Sequence, residues 1–172
     1  MKLAFVSVLV VGFLSGCGSV PGPGGVPVNT PRSAPPAEMV GSWYEGSVST
    51  IDYYDPGTGT WAPPSGSGFA YTFNADGTYE YSGILQVSTY GCTSTLFGYY
   101  TGTVTVEGDV LTTYQNGGKT KYETNCGESS ETDAEPEVKA YGWRIGPDEY
   151  GEETLTLTWP DGETSAFRRW EE

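Results

Sequence analysis

Three cysteines, Cys17, Cys92 and Cys126, are the most reactive side chains of this 172-residue sequence, which contains no histidine. The lack of histidine removes Ser–His–Asp triads, histidine general bases and histidine metal sites from consideration. Cys92 and Cys126 are not arranged as Cys-x-x-Cys, which argues against a redox or metal pair. In an oxidising compartment we expect them to form a disulfide, which would contribute about 3 kcal/mol to stability.

Carboxylates are the other candidate chemical groups, with 22 Asp and Glu against 8 Lys and Arg, a formal net charge of −14. Pairs such as Asp52 with Asp55, or Asp148 with Glu149, could serve glycoside hydrolysis, but Asp is also common in turns because it bonds to the local backbone. One acidic run could instead coordinate calcium, although it lacks the glycine-punctuated spacing of a calcium loop. Its members are Glu128, Glu131, Asp133, Glu135 and Glu137. We predict a solvated acidic loop, no catalytic residues, no metal, no cofactor and no enzymatic activity.

The N-terminus predicts where the protein resides. Lys2 is followed by an almost wholly apolar run from Leu3 to Leu14, which suits a signal peptide and is too short to span a bilayer. The sequence Leu14-Ser15-Gly16-Cys17 resembles the bacterial lipobox, which implies cleavage before Cys17 and attachment of acyl chains such as palmitate to it. The alternative is an ordinary secretory signal. Gly18 resembles the sorting pattern of outer-membrane lipoproteins, so we expect a lipid-anchored protein of the bacterial cell envelope.

Composition divides the chain into three parts. Residues 1–16 form the predicted signal peptide, whose removal takes away Lys2 and no acid and so changes the formal charge from −14 to −15. Residues 17–37 contain the lipidated cysteine and a Pro/Gly-rich stretch that we expect to be a disordered tether. Residues 38–172 form one domain. Its acidic surface would repel nucleic acid and attract cationic partners.

The domain shows the period-two alternation of β-strands separated by tight turns. Leu155, Leu157 and Trp159 alternate with threonines, and Tyr79 and Tyr81 share one face of another strand. Turn sequences, Asn74-Ala75-Asp76-Gly77 and Asn116-Gly117-Gly118 among them, join eight or nine such strands. Sequential hairpins without a helical crossover predict an all-β, antiparallel up-and-down meander that closes into a barrel of about eight strands.

Several of these motifs, in this order, resemble lipocalins and their calycin relatives. Gly41-Ser42-Trp43 is similar to the opening Gly-x-Trp, and Phe73 to Tyr79 to the Phe-x-x-Asp-Gly-Thr-Tyr hairpin of bacterial lipocalin-like domains. Leu155 to Gly162 resembles the penultimate hairpin, and Phe167-Arg168-Arg169 the final strand. The resemblance covers residues 40–170 and implies a lipocalin-like barrel.

The resemblance also implies that a basic residue of the last strand crosses the Gly-x-Trp tryptophan at the closed end. Carried over, Arg168 or Arg169 would contact Trp43, a cation–π interaction of about 0.5–2 kcal/mol. The chain has no Thr-Asp-Tyr motif and no obvious C-terminal helix, and these departures leave open a barrel filled by its own side chains.

Aromatic residues provide the candidate binding site. Tyr53, Tyr54 and Trp61 lie in the long loop after the first strand, where a barrel mouth would be, and aromatic faces beside small polar groups suit sugars or flat ligands. The alternative is that they pack as a lid on a small core. We therefore expect a module that binds a small or hydrophobic ligand. The second hypothesis is an inhibitor or interaction protein that acts through its surface on a cationic protein.

Overall fold

The segments in which apolar and polar residues alternate form antiparallel strands. The computed structural model describes residues 29–47, 54–61 and 66–170. The strands in these ranges are β1 (Gly41–Gly46), β2 (Tyr54–Asp55), β3 (Thr60–Trp61), β4 (Gly68–Phe73), β5 (Thr78–Thr89), β6 (Cys92–Glu107), β7 (Val110–Thr124), β8 (Ser130–Asp133), β9 (Glu137–Pro147), β10 (Glu153–Thr158) and β11 (Thr164–Arg169). Within the described residues, no helix has the length and apolarity needed to cross a membrane.

Eight of these strands close into a barrel. The strand order is β6-β5-β4-β1-β11-β10-β9-β7, and β7 pairs with β6 to complete the ring. The first and last strands meet with Trp43 opposite Arg169, while Trp43 faces Tyr71 on its other side. The predicted all-β fold, an up-and-down antiparallel barrel of eight strands, is therefore confirmed. Closure gives every one of these eight strands two neighbours, so the barrel itself has no edge strand.

One half of the barrel is filled with apolar side chains, and we call this half the closed end. Its fully buried members, each less than 2% exposed, include Met39, Trp43, Phe73, Val104, Leu111, Leu155 and Leu157. Burying a large apolar side chain contributes about 1.5–3 kcal/mol, so this cluster is the main source of stability of the barrel. The turns β4–β5, β6–β7 and β9–β10 lie at this end because their flanking residues are in the cluster or beside it.

Two local features differ from the sequence prediction. The hairpin predicted at residues 116–118 is wrong, because β7 continues through it and the register against β6 shifts between Thr101 and Gly102. The acidic run predicted as a loop contains the short strand β8, which pairs with β7. Gly117 and Gly118 suit a β-bulge, and the ion pairs of Lys119 with Glu131 and Asp133 support the pairing of β8 with β7.

Strands β5, β6 and β7 extend past the open end of the barrel, and β8 pairs with the extended part of β7. We call this extension, residues 84–97 of β5 and β6 with residues 119–133 of β7 and β8, the flap. Cys92 and Cys126 form a disulfide with a Cα–Cα distance of 5.6 Å, which confirms the predicted pair and ties the β5–β6 turn to the β7–β8 loop. The cross-link therefore holds the outer end of the flap together.

The segment before β1 lies against the closed end. The Ser33 amide donates to the Val104 carbonyl at 2.9 Å, and Thr103 Oγ1 donates to the Pro31 carbonyl at 2.8 Å. Arg32 forms an ion pair with Asp76 in the β4–β5 turn at 3.6 Å. Residues 29–37 were assigned to the tether from their composition, whereas the structure places them on the barrel. The rest of the predicted tether and the signal peptide lie outside the described residues.

Candidate functional site

The open half of the barrel contains a cavity of about 360 Å³. It is lined by Glu45, Phe69, Tyr71, Tyr79, Tyr81, Tyr100, Thr113, Gln115, Glu137, Lys139, Tyr141, Trp159, Ser165 and Phe167. On each strand these residues lie an even number of positions from a buried core residue, as Glu45 does from Trp43 on β1. Their side chains therefore point into the barrel as the core side chains do. The volume is at the lower end of the range for small-molecule sites in proteins, about 300–1,000 Å³.

One wall of the cavity is made of two parallel tyrosine rings. Tyr81 and Tyr100 are directly opposite on β5 and β6, with ring centroids 5.4 Å apart and planes within 4° of each other. Each ring lies over a glycine two residues along its own strand: a Cβ at Gly83 would be 2.8 Å from the Tyr81 hydroxyl, and one at Gly98 would be 3.0 Å from the Tyr100 hydroxyl. The glycines thus allow both rings to lie flat and present their faces to the cavity.

The facing walls carry further aromatic contacts. Tyr71 meets Phe167 edge to face at 5.4 Å, and Tyr141 meets Trp159 in the same way at 4.8 Å. Burial raises the pKa of Tyr71 well above its ordinary value, and Tyr141 adds to the effect. Burial likewise raises the pKa of Tyr79 and Tyr81. The hydroxyls of these three tyrosines therefore remain neutral, and they offer hydrogen bonds and aromatic faces but no phenolate.

Charged groups line only part of the cavity. Glu45, half-buried on β1, is hydrogen-bonded to Ser165, and burial raises the pKa of its carboxyl although that hydrogen bond lowers it. Lys139 Nζ lies 2.7 Å from Glu137 Oε2, two residues away on β9, so these two opposite charges are paired. Among the described residues, no ion pair includes Glu45. The arrangement can hold a small molecule between aromatic faces with one carboxylate available to it.

Arg169 and Trp43 lie together at the closed end. The Arg169 guanidinium carbon is 4.1 Å from the Trp43 ring centroid, and Nη1 donates to the Val40 carbonyl at 3.1 Å. The other predicted partner, Arg168, lies instead over Tyr44, at 5.5 Å from that ring. Adjacent strand residues face opposite sides, so only one of the two arginines can reach Trp43. This contact fixes the end of the barrel that lies away from the cavity.

The predicted mouth aromatics do not line the cavity. Tyr54 packs on Tyr99 with centroids 4.6 Å apart, and Trp61 packs on Phe97 at 5.3 Å. Tyr99 and Phe97 alternate with the cavity residue Tyr100, so this cluster lies on the outer surface of β6. Tyr53 lies outside the described residues.

The acidic residues that the sequence suggested for catalysis or calcium binding make structural contacts. Asp55 accepts from the Gly57 amide at 2.8 Å, and Asp148 accepts from the Tyr150 amide at 2.8 Å, so both stabilise turns. Glu131 and Asp133 both lie within 3.3 Å of Lys119 Nζ. Asp52 lies outside the described residues.

Sequence reasoning missed most of the site. Alternation had placed Tyr79 and Tyr81 on one face, but Glu45, Tyr141 and Glu137 come from distant strands and meet only through the register of the closed barrel. If Trp43 is taken to point into the barrel, the two-residue period of β1 indicates that the Glu45 side chain points inward as well.

The chain matches no protein-family model, no curated protein and no solved structure. The function is therefore argued from the geometry of the barrel and its cavity.

Proposed function

We propose that this protein is a lipid-anchored envelope protein whose lipocalin-like barrel binds a small organic ligand in its open half. The observation that carries the proposal is the cavity of about 360 Å³ enclosed by eight aromatic side chains with polar groups among them. A barrel that binds no ligand is expected to fill such a space with its own side chains, because protein interiors are closely packed and cavities lower stability.

The size and composition of the cavity support a compact ligand with a flat or rounded apolar part. Ligand sites are mostly apolar, with a few polar groups that fix orientation, and this cavity has that balance. The arrangement of Trp43 and Arg169 at the opposite end is the one that the lipocalin resemblance implies. The lipobox-like Leu14–Cys17 sequence supports anchoring through acyl chains, with the outer membrane as the expected site.

N-phenyl-1-naphthylamine, a neutral probe that fluoresces when removed from water, tests the proposal. The purified domain should bind it saturably. Ser165→Trp, which places a large side chain in the cavity, should abolish the signal. Its matched control is Ala166→Trp, because Ala166 is the exposed neighbour on the same strand. Absence of probe binding by the wild-type protein, or equal binding by Ser165→Trp, would contradict cavity binding.

A second candidate function is binding of a cationic protein through the flap. Leu96 lies between Leu85 and Tyr122 on neighbouring strands, and Val87 extends the same face. These four side chains are 37–52% exposed, which is unusual for large apolar residues that adjoin one another. The net charge of −14 would steer a cationic partner to this apolar surface.

Lysozyme and cytochrome c are suitable cationic probes of this second function. Binding at low ionic strength should weaken with added salt and with Leu96→Ser, while Val138→Ser, at an exposed apolar position on β9, should have no effect. No interaction of either probe at low ionic strength, or an equal loss in both variants, would exclude the flap as the binding surface.

A further inference from the structure

We infer that the ligand of the barrel is a compact organic cation, such as a quaternary or protonated amine, held against the aromatic walls with its charge near Glu45. This inference rests on the proposed binding function and specifies the chemical class of the ligand.

The charges that line the cavity favour a cation. Glu45, Glu137 and Lys139 are its only charged lining residues within the part of the chain that the structure describes, which leaves one net negative charge. Lys139 is occupied by Glu137 at 2.7 Å. An anionic ligand would therefore have to break that pair and approach Glu45, whereas a cation needs neither change.

Glu45 is suited to receive a positive charge. Its hydrogen-bond partner Ser165 is neutral, and Phe69, directly opposite on β4, and Phe167 are apolar cavity residues. Partial burial beside apolar groups disfavours the charged form of the carboxyl, because fewer water molecules solvate the charge. A bound cation would remove that cost, and it would do so only when Glu45 is ionised.

The aromatic walls are suited to the rest of the cation. Aromatic rings carry negative charge on their faces, and they attract ammonium groups within about 6 Å of the ring centroid. Tyr81 and Tyr100 have parallel rings that lie over Gly83 and Gly98, two positions without a side chain. Because burial raises the pKa of Tyr71 and Tyr81, these two rings contribute this attraction without adding further charge.

The charge of the whole chain acts in the same direction. With a formal net charge of −14, the protein concentrates cations and repels anions at its surface. The volume of about 360 Å³ suits a ligand of the size of an amine with a small ring or a few alkyl groups.

Choline and 3,3-dimethyl-1-butanol form a matched pair for the test, since they have nearly the same shape and differ by one positive charge. Their affinities for the wild-type domain can be measured by NMR titration and by displacement of N-phenyl-1-naphthylamine. We expect choline to bind at least about tenfold more tightly than the neutral alcohol, the size of effect that aromatic faces and one carboxylate produce.

Glu45→Gln tests whether this carboxylate causes the preference for choline. Its control is Glu107→Gln, which removes the same charge from the exposed β6–β7 turn at the closed end. Glu45→Gln should reduce the preference for choline over the alcohol by about tenfold, and Glu107→Gln should leave it unchanged. Equal affinities of the two ligands, or an equal preference in Glu45→Gln and wild type, would overturn the inference. Binding of the naphthylamine probe in those cases would leave the proposed function intact, whereas loss of every probe would overturn both.

Discussion

Arg169 lies over the ring of Trp43, with 4.1 Å between the guanidinium carbon and the ring centroid, and joins the last strand of the barrel to the first. The same side chain donates to the carbonyls of Glu38 and Val40 and pairs with Glu153 on β10. Trp43 in turn donates from Nε1 to the Met39 carbonyl at 2.8 Å. One arginine therefore connects three strands and the segment that leads into the barrel.

Arg169→Met should destabilise the domain by about 1–3 kcal/mol, because it removes the cation–π contact and leaves carbonyls without their charged donor. Arg168→Met is the matched control: this exposed neighbour lies over the half-buried Tyr44 ring, and we expect a change below about 0.5 kcal/mol. Urea unfolding of the two variants measures the difference. Equal effects would show that Arg169 has no special role in closing the barrel.

Replacing both Cys92 and Cys126 by serine should lower the free energy of unfolding by about 3–4 kcal/mol, the loop-closure effect for a separation of 34 residues. Because the cross-link joins the outer end of the flap, the folded barrel should survive in the double variant. Unfolding curves with and without reductant provide the measurement. Two alkylatable thiols in the unreduced native protein would contradict the disulfide.

Gly98→Val should weaken N-phenyl-1-naphthylamine binding by about fivefold to tenfold, since an added Cβ would lie 3.0 Å from the Tyr100 hydroxyl and displace the ring from the cavity wall. Gly146→Val is the matched control, because a Cβ at this strand position has no atom within 4 Å. Fluorescence titration of both variants checks the role of the wall. Unchanged affinity in Gly98→Val would mean that the Tyr100 ring is not needed.

The carboxyl of Glu45 should make stability depend on pH. Burial raises its pKa in the folded state, so the native protein binds more protons than the unfolded chain between the ordinary value of 4.5 and the raised one. The free energy of unfolding should therefore fall as the pH rises through that window. The titratable groups that share the cavity with Glu45 are Tyr71, Tyr79, Tyr81, Tyr100, Tyr141 and the Glu137–Lys139 pair.

The difference between wild type and Glu45→Gln isolates this effect. Asp55 and Asp76 have lowered pKa values, because Thr58 and Thr78 hydrogen-bond to their carboxylates, and they act in the opposite direction. Their contribution is the same in both proteins and cancels. A difference in stability that does not change between pH 4 and pH 7 would contradict the role of Glu45.

Cys17→Ala should release the protein from membranes. Acyl chains contribute about 0.8 kcal/mol per buried methylene, so their loss removes the attachment. Fractionation of cells that express the wild type or the variant measures the distribution, and labelled palmitate identifies the modified form. A variant that is still processed and still sediments with membranes would show that Cys17 is not the anchor.

Local sequence patterns predicted the strands and the barrel because each hairpin is a short-range signal, as in Leu155 to Gly162. The same signals failed at residues 116–118, where Gly118 has a φ of +132° and lies against the Tyr99 carbonyl of β6. Glycine there allows close approach of the neighbouring strand, and a local pattern cannot distinguish this from a turn. The cavity could not be predicted, because Glu45 meets Ser165 only once the first and last strands pair.

The hydrogen bonds of residues 31 and 33 to β6 have a consequence for orientation. They bring the chain onto the barrel at the end opposite the cavity. Under the proposed lipidation of Cys17, the membrane attachment would therefore join the barrel at its closed end, and the cavity would open on the side away from that attachment. A ligand would then enter from solution, as a water-soluble amine does, and would not need to be extracted from the bilayer.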